Sequence, residues 1–344
     1  MRNRFSKRSL LGIAAGLAGI MLASAPPALA QTKLQVAVAN RSISSLPLMV
    51  AKGKNFFKDE GLDVELEYFT GGPPATAALI GGSAQFLVAA PQDMLKAIKQ
   101  GQPLVAIATV IADYTGSIVM RKDLADKLGR KPGIEDLKGQ RIGTLARGGF
   151  TDVSTRYMLM EKGIDPEKDV TLIPVRGPDR QLAAGRANEL DANAFVDPSG
   201  YIAVEQMRDW VYVVDITAGE GPKIFHDLGF IALQTTRDYL KQNRPTAEKF
   251  VRAMVRAQNF IADPKNQAEA TEMASKVLVG MDKTALGESV KASHNAFRPA
   301  FPKIMIDNNM ELLLRNKLIE GPAPAYDVAV DAAFEPIWKT YVSK

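Results

Sequence analysis

The sequence predicts an α/β protein made of two lobes that share one chain and meet at a double hinge. Short apolar runs alternate with amphipathic stretches from residue 31 to about residue 235, the alternation restarts near residue 117, and strand-like runs stop after Thr246. Alternating strands and helices favour a mostly parallel sheet with helices on both faces, and the restart indicates a second sheet of the same kind.

The first block predicts four strands connected by three helices. Strand-like runs occupy residues 34–38, 64–68, 86–89 and 104–111, and apolar residues at helical spacing cover 45–57, 74–81 and 92–100. The run 64–68 alternates in polarity, whereas 86–89 and 104–111 are almost entirely apolar. Continuous apolar runs of this length are typical of strands covered on both faces.

The second block repeats the pattern and leads into helices. Predicted strands lie at 117–120, 141–145, 170–175, 192–196, 210–215 and 229–233, with helices at 134–137, 152–162 and 180–187. A helix over 247–262 places Phe250, Met254, Ala257 and Ile261 on one face, and further helices continue to the C-terminus.

No linker rich in proline, serine or glycine separates the two blocks. We therefore expect the chain to cross to the second lobe near 112–117 and to return near 216–229. The predicted domains are a signal peptide at 1–30, lobe 1 at 31–113 with 222–344, and lobe 2 at 114–221. Two crossings make a double hinge, and closing a hinged cleft is a known way to bind a ligand.

The N-terminus predicts export. Four basic residues, Arg2, Arg4, Lys7 and Arg8, precede an apolar run over 10–23, and Ala28 and Ala30 complete a signal-peptidase pattern. The run is shorter than the roughly 20 residues that a spanning helix needs. We expect cleavage before Gln31, by the general secretory or the twin-arginine route.

Charge and cysteine content exclude several classes of function. The formal charge of +5 comes mostly from the four basic residues of the signal peptide, so the mature chain is close to neutral and no nucleic-acid partner is expected. With no cysteine, the chain has no disulfide, thiolate metal site, cysteine nucleophile or lipoprotein acylation site. We expect a free periplasmic protein without a metal or other cofactor.

Four loops are candidates for a ligand site because each follows a predicted strand. They cover residues 39–42, 70–73, 90–92 and 146–151, and most of them open a helix whose N-terminus suits an anion. Gly71-Gly72 and Gly148-Gly149 let the backbone approach a ligand, or they simply turn the chain. Neither a P-loop nor a G-x-G-x-x-G motif opens the first helix.

Three segments carry a resemblance to a known family. They are F-F-K-D-E-G-L-D-V-E from Phe56 followed by Gly71-Gly72, D-L-K-G-Q-R-I-G from Asp136, and A-A-G-R-A from Ala183 leading to L-D-A and Asp197-Pro198. In this order they resemble periplasmic solute-binding proteins of ABC importers, in the sulfonate/nitrate/taurine and thiamine-precursor group. The chain departs from the family pattern at Gln85, usually acidic there, and at the extra residues Asn188 and Glu189.

The resemblance implies a type II periplasmic-binding-protein fold, no catalysis, and a monomer. It also implies delivery of the ligand to an inner-membrane ABC permease driven by a cytoplasmic ATPase. The site residues it implies all come from strand-end loops or the hinge: Asn40, Arg41, Ser42, Gly71, Gly72, Pro91, Gln92, Tyr114, Gly149, Phe150, Thr151 and Asp197.

For several of these residues, two roles remain open. Arg41 either donates two hydrogen bonds to an anion or is a solvated loop residue, and the same two roles are open for Arg147. Tyr114 and Phe150 either stack on an aromatic ligand or line the hinge. Asp197 either binds a ligand amine or hydroxyl or caps the turn at Pro198. Asp93 and Asp152, in first helical turns, are expected to cap.

The predicted ligand is a small organic anion, with an organosulfonate as the leading candidate. A thiamine pyrimidine precursor, nitrate or an aromatic carboxylate is the alternative. Related fungal enzymes make the thiamine pyrimidine on this fold with a cysteine-rich motif, which this chain lacks. His226 and His294 are isolated, so the sequence predicts a binding protein rather than an enzyme.

Overall fold

The structure, a computed structural model, describes residues 31–342. The signal peptide predicted at 1–30 therefore lies outside the described residues. Within residues 31–342, no helix is long and apolar enough to cross a membrane.

Within residues 31–342, ten strands form two five-stranded sheets. In chain order they are β1 (Thr32–Val38), β2 (Leu62–Tyr68), β3 (Phe86–Ala89), β4 (Leu104–Ile111), β5 (Gly116–Arg121), β6 (Arg141–Thr144), β7 (Thr171–Pro174), β8 (Ala192–Val196), β9 (Trp210–Asp215) and β10 (Ile231–Thr236). The first sheet has the order β2-β1-β3-β10-β4, and the second has the order β7-β6-β8-β5-β9. We keep the name lobe 1 for the part built on the first sheet and lobe 2 for the part built on the second.

The helices cover both sheets and form the C-terminal part of lobe 1. They are α1 (Leu46–Gly53), α2 (Phe56–Asp59), α3 (Gly72–Ile80), α4 (Pro91–Lys99), α5 (Lys122–Ala125), α6 (Phe150–Glu161), α7 (Pro178–Arg186), α8 (Ser199–Tyr201), α9 (Arg237–Ala262), α10 (Gln267–Val277), α11 (Lys283–Ser293), α12 (Lys303–Arg315), α13 (Tyr326–Ala329) and α14 (Glu335–Trp338). A π-helical turn, Ile202–Met207, continues α8.

The strands that enter or leave the hinge run against the others. β10 is antiparallel to both β3 and β4, and β5 is antiparallel to β8 and β9. The chain leaves lobe 1 from the carboxyl end of β4 and returns to the same edge, so the returning strand has to run in the opposite direction. The remaining strands of each sheet are parallel, in agreement with the predicted mostly parallel sheets.

The core of lobe 1 explains why its strands are continuously apolar. All eight residues of β4 are buried, because helices cover both faces of the sheet. Phe86 of β3 stacks on Phe250 of α9 with ring centroids 4.5 Å apart, and Phe57 of α2 lies 4.8 Å from the same ring. The predicted apolar face of α9 therefore packs against the sheet.

Three predicted elements differ from the structure. The single helix expected over 45–57 is two helices, because Asn55 between them adopts a left-handed conformation with φ of 60°. The last strand was placed too early at 229–233. Gly229 belongs to the hinge, where its N–H donates to the Ala112 carbonyl at 2.7 Å, and β10 begins at Ile231. The α9 helix starts at Arg237, well before residue 247, and kinks at Asn243 ahead of Pro245.

Two residues of the family-like segments in lobe 2, Arg141 and Asp191, connect β6 with the start of β8. Arg141 of β6 donates to both carboxylate oxygens of Asp191, at 2.9 Å from Nε and 2.8 Å from Nη2, and its backbone N–H donates at 2.9 Å. The Arg141 guanidinium lowers the pKa of Asp191. In lobe 1, Gln85 accepts the N–H of Gln35 at 2.8 Å. Both contacts support packing between neighbouring strands.

Candidate ligand-binding site between the lobes

Three of the predicted loops lie side by side at the carboxyl edge of the first sheet. Val38 of β1 is in register with both Tyr68 of β2 and Val88 of β3. The loops that follow are joined by hydrogen bonds from the N–H groups of Ala39 to Val88 (3.0 Å) and of Gly71 to Ala39 (2.8 Å). The structure therefore brings the predicted loops at 39–42, 70–73 and 90–92 together.

This edge carries polar groups that have no partner within residues 31–342. The hydroxyl of Tyr68 and the amide nitrogen of Gln92 are buried and make no hydrogen bond there. The Arg41 guanidinium is exposed and lies 4.7 Å from the centre of the Tyr68 ring. Burial raises the pKa of Tyr68, and the nearby Arg41 opposes that shift. Tyr68 therefore stays a neutral hydroxyl that can donate to a ligand.

The first loop is shaped by its own side chains. Ser42 Oγ donates to Asn40 Oδ1 at 2.7 Å and lies 2.5 Å from Ser44 Oγ. Ser42 therefore orients the Asn40 amide, whose N–H groups take no partner from the described chain. Asn40 is half-buried and Ser42 is buried, so Asn40 is the better placed of the two for contact with a ligand.

The glycines of the second loop have different roles. Gly71 has φ of 130°, a conformation that L side chains rarely adopt. At Gly72, a Cβ atom would come closer than 3.0 Å to Asp93 Oδ2 at the start of α4. Gly72 thus allows the N-termini of α3 and α4 to pack together. Pro91 is the first residue of α4 and is buried.

The loop before α6 is closed by residues of the first helical turn. Thr151 Oγ1 accepts the N–H of Leu145 at 3.0 Å, and Asp152 Oδ2 accepts the N–H of Gly148 at 2.9 Å. Asp152 therefore holds the loop that precedes α6, whereas α6 itself has no side-chain cap, and Thr151 shapes the same loop. Gly149 is the residue immediately before α6, whose first N–H groups have no intrahelical acceptor.

Arg147 points to a different place from Arg41. Its side chain is exposed and lines a surface cavity of about 290 Å³ between the α6 region and the residues that follow α12, together with Arg156 and Arg315. Arg41 is not among the residues that line this cavity.

Tyr114 and Phe150 pack in the hinge. Tyr114 is 2% exposed, and its ring centroid lies 4.6 Å from Phe150, 5.0 Å from Phe230 and 5.5 Å from Phe225. Its hydroxyl donates to the Phe195 carbonyl at 3.2 Å. These contacts favour a role for Tyr114 in lining the hinge over stacking on an aromatic ligand. Phe150, which packs beside it, is half-buried.

Arg298 ties the two hinge crossings together. Its Nη2 contacts Asp113 of the outgoing crossing at 2.9 Å and Asp227 of the returning crossing at 2.7 Å. The crossings also pair through the backbone, from the N–H of Tyr114 to Phe225 at 2.9 Å. Sequence reasoning missed Arg298, because it lies about 70 residues beyond the hinge in a helical region without a motif.

Asp197 lies at the carboxyl end of β8, at the edge of lobe 2 that carries the hinge. It is 7% exposed, and Oδ2 accepts a hydrogen bond from Thr217 Oγ1 at 2.5 Å. Burial raises the pKa of Asp197 to about 6, which the Thr217 hydrogen bond opposes and the Asp215 charge reinforces. The following helix α8 has no side-chain cap, so Asp197 does not cap the turn at Pro198.

Two contributors to this region were not on the predicted list. The sequence predicts Tyr68 only as the last residue of a strand, and Thr217 lies in a turn after β9. The rule that ligands bind at strand ends points to Tyr68, but nothing in the local sequence pairs Thr217 with Asp197. Within residues 31–342, no group of three or more histidine, cysteine or acidic residues is arranged to hold a metal ion.

Comparisons with known proteins agree with this architecture. The family model described as "NMT1/THI5 like" matches residues 42–268. The chain is 27% identical over 241 residues to the putative binding protein YtlA of Bacillus subtilis, covering 67% of this chain and 66% of YtlA. It is 26% identical over 244 residues to the nitrate/nitrite binding protein NrtA of a Nostoc species, covering 67% of this chain and 54% of NrtA.

A solved structure shows the same fold. The alkanesulfonate-binding protein SsuA from Xanthomonas axonopodis pv. citri, bound to MOPS, superposes with a TM-score of 0.68 at 18% identity, covering 87% of this chain and 98% of that one. The two sheets therefore form a type II periplasmic-binding-protein fold, as the sequence predicts. The chain spans between half and two-thirds of the curated relatives it matches.

Proposed function

This chain belongs to the NMT1/THI5-like family, and we propose that it is the solute-binding component of an ABC importer for a small anion. An organosulfonate is the leading ligand, with nitrate, an aromatic carboxylate or a thiamine pyrimidine precursor as alternatives. The relatives named for nitrate and for alkanesulfonate binding support this class of ligand. The protein binds its ligand without chemistry and hands it to a membrane permease driven by a cytoplasmic ATPase.

The observation that carries the proposal is the set of unpaired donors at the carboxyl edge of the first sheet. Tyr68 and Gln92 each bury a polar group without a partner in the described chain, and Arg41 offers a guanidinium beside the Tyr68 ring. A buried donor left without an acceptor costs about 1–3 kcal/mol. An anion in the cleft satisfies these donors and recovers that cost.

We further propose that the mature protein starts near Gln31 and acts as a free monomer in the periplasm. The lobes divide at residues 114 and 221, with lobe 1 discontinuous. The distribution of strands supports this division, since β4 ends at Ile111, β5 begins at Gly116, and β10 rejoins the first sheet at Ile231.

Calorimetric titration and thermal melting of the mature protein, with and without ligand, test the function. The probes are ethanesulfonate, nitrate, hydrogencarbonate and benzoate. Binding of one of these anions is expected to raise the melting temperature, because a ligand that binds only the folded state stabilises it. Recovery of the ligand unchanged supports a transport role. Turnover of the bound compound, or no binding by any anion, contradicts it.

Replacing Arg41 with alanine is expected to weaken anion binding by tenfold or more. A hydrogen bond to a charged group is worth about 1.5–3 kcal/mol, and the guanidinium has no acidic partner within residues 31–342 that would otherwise hold it. The measurement is the dissociation constant of the best-binding anion for the Arg41→Ala variant and for the unmodified protein.

Arg256→Ala is a matched control. Arg256 also stacks on an aromatic ring, with its guanidinium 4.3 Å from the centre of Phe56, but it belongs to α9 and pairs with Asp59 of α2 at 2.8 Å. Its removal is expected to leave affinity within twofold. Equal affinity of both variants for the anion would show that Arg41 is a solvated loop residue.

A further inference from the structure

We infer that Gln206 is a positioning residue that sets ligand affinity from outside the candidate site, by holding lobe 2 against Asp282 of lobe 1. Gln206 Nε2 donates a hydrogen bond to Asp282 Oδ1 at 2.5 Å, and the two residues belong to different lobes. We call this hydrogen bond the closing contact. Its effect on affinity rests on the proposed function, whereas its effect on the angle between the lobes does not depend on a ligand.

The lobe 1 side of the closing contact is the outer end of a helix that begins beside the hinge. The turn His294–Ala296 at the C-terminal end of α11 reaches the hinge, where the Ala296 carbonyl accepts the N–H of Ala112 at 2.7 Å. Asp282 lies at the opposite end and caps α11 by accepting the N–H of Ala285 at 2.9 Å. At about 1.5 Å per residue, the 11 residues of α11 span about 16 Å.

The lobe 2 side of the closing contact also extends from the hinge. The N–H of Asp197 faces the carbonyl of Thr115 in the outgoing crossing at 3.4 Å, and α8 with its π-helical turn leads from there to Gln206. Gly200 of α8 lies directly on β5, because a Cβ atom there would come closer than 3.0 Å to Ser117 Oγ. The segment that carries Gln206 is therefore packed on the lobe 2 sheet and moves with it.

The two segments start at the hinge and meet at their outer ends. Opening the angle between the lobes moves these ends apart, and a rotation of about 10° at a radius of about 16 Å displaces one end by about 3 Å. A hydrogen bond is lost when its donor and acceptor separate by that much. The closing contact therefore exists only while the cleft is closed to the angle seen in this structure.

A second contact between the lobes lies beside the hinge instead. The hydroxyl of Tyr157 on α6 donates to Glu311 Oε1 on α12 at 2.7 Å, and the Tyr157 ring centroid lies 6.1 Å from that of Phe225 in the returning crossing. Groups close to the axis of a rotation move little when the lobes open. The Tyr157–Glu311 contact is therefore compatible with a range of angles, whereas the closing contact selects one.

The charge at Asp282 makes the closing contact adjustable. Hydrogen bonds from the Ala285 N–H and from Gln206 lower the pKa of Asp282, so it is a carboxylate at neutral pH. A contact made only in the closed state raises the closed fraction, and the apparent affinity rises with the fraction of protein that is competent to hold the ligand. A cation at position 206 should therefore strengthen binding, and an anion should weaken it.

The test compares Gln206→Lys with Gln206→Glu. The probe is the anion among ethanesulfonate, nitrate, hydrogencarbonate and benzoate that the unmodified protein binds best. Because both side chains are exposed, the effect is moderate: Gln206→Lys is expected to bind at least about fivefold more tightly than Gln206→Glu, with the unmodified protein between them. Stopped-flow measurements should place most of this difference in the dissociation rate, since the closing contact has to break before the ligand leaves.

Small-angle scattering of the ligand-free variants gives a second readout that a local structural role would not move. The radius of gyration is expected to be larger for Gln206→Glu than for Gln206→Lys, because repulsion between two carboxylates favours the open cleft. Melting curves establish that each variant is folded.

Glu205→Gln is the matched control for charge. It raises the charge of the same turn by one unit, as Gln206→Lys does, but Glu205 is exposed and forms no hydrogen bond with lobe 1 within residues 31–342. Its affinity is expected to stay within about twofold of the unmodified protein. Adding Asp282→Asn to Gln206→Lys should remove the gain in affinity, since asparagine still caps a helix but carries no charge.

The results separate this inference from the proposed function. Affinities of Gln206→Lys and Gln206→Glu within twofold of each other overturn the role of Gln206, and so does a gain in Glu205→Gln equal to that in Gln206→Lys. If none of the four anions binds, the proposed function fails. A difference in radius of gyration between the two Gln206 variants still supports the closing contact in that case, and equal radii overturn it.

Discussion

Replacing Gly116 with alanine is expected to destabilise the protein by about 3 kcal/mol or more. Gly116 is the first residue of β5 and pairs with Val196 of β8, at the point where the chain leaves the hinge. A Cβ atom there would come closer than 3.0 Å to the Phe195 carbonyl oxygen and to two atoms of Tyr114. Neither neighbour can move easily, because one is backbone and the other is a ring packed among three phenylalanines.

The matched control is Gly133→Ala. The three atoms nearest to its added Cβ atom would all belong to the carboxylate of Glu135, which can rotate away. Gly133 also has an extended φ of −116°, which alanine adopts without strain. The midpoint of urea unfolding is expected to fall clearly for Gly116→Ala and to stay close to the original for Gly133→Ala. Similar midpoints for the two variants would show that β5 can separate from β8 at little cost.

The sequence predicts the buried strands most accurately. The bounds of β3, β4, β8 and β9 agree with the predicted runs 86–89, 104–111, 192–196 and 210–215. Each of these runs is rich in apolar residues, and all residues of β3 and β4 and all but the last of β8 are buried, because helices cover both faces of the sheets. Local pattern is sufficient where burial is complete on both faces.

Local pattern does not reveal the position of a strand within a sheet. The insertion of β10 between β3 and β4 depends on the return of the chain from lobe 2, more than 100 residues after β4. The break between α1 and α2 was missed for a different reason. Phe57 continues the helical spacing of α1 but packs from a separate helix, after the left-handed residue Asn55.

The sequence predicts which loops form the candidate site, but it does not predict which side chains in those loops are free to bind a ligand. The rule for parallel sheets identified the loops at 39–42, 70–73 and 90–92, which the structure places at one edge. Which side chains keep a polar group without a partner depends on neighbours from distant parts of the chain. Ser42 and Thr151 are engaged within their own loops, whereas Tyr68 and Gln92 keep unpaired polar groups.

Asp197→Asn is expected to stabilise the ligand-free protein by about 3 kcal/mol at pH 8. Burial raises the pKa of Asp197 from 3.8 to about 6, so the folded state binds a proton more tightly than the unfolded state does. The stability contributed by this group is therefore greatest at low pH and is lost between about pH 4 and pH 6. Asparagine keeps an oxygen that accepts from Thr217 Oγ1 and has no charge to bury.

The measurement is the free energy of urea unfolding of both proteins from pH 4 to pH 8 without ligand. The advantage of the variant should be near zero at pH 4, grow through pH 5, and level off above pH 6. Asp191→Asn provides a control of opposite sign, because Arg141 lowers the pKa of Asp191, and its removal should destabilise the protein at pH 8. If Asp197→Asn instead lowers stability across this range, the carboxylate is held by favourable contacts within the protein.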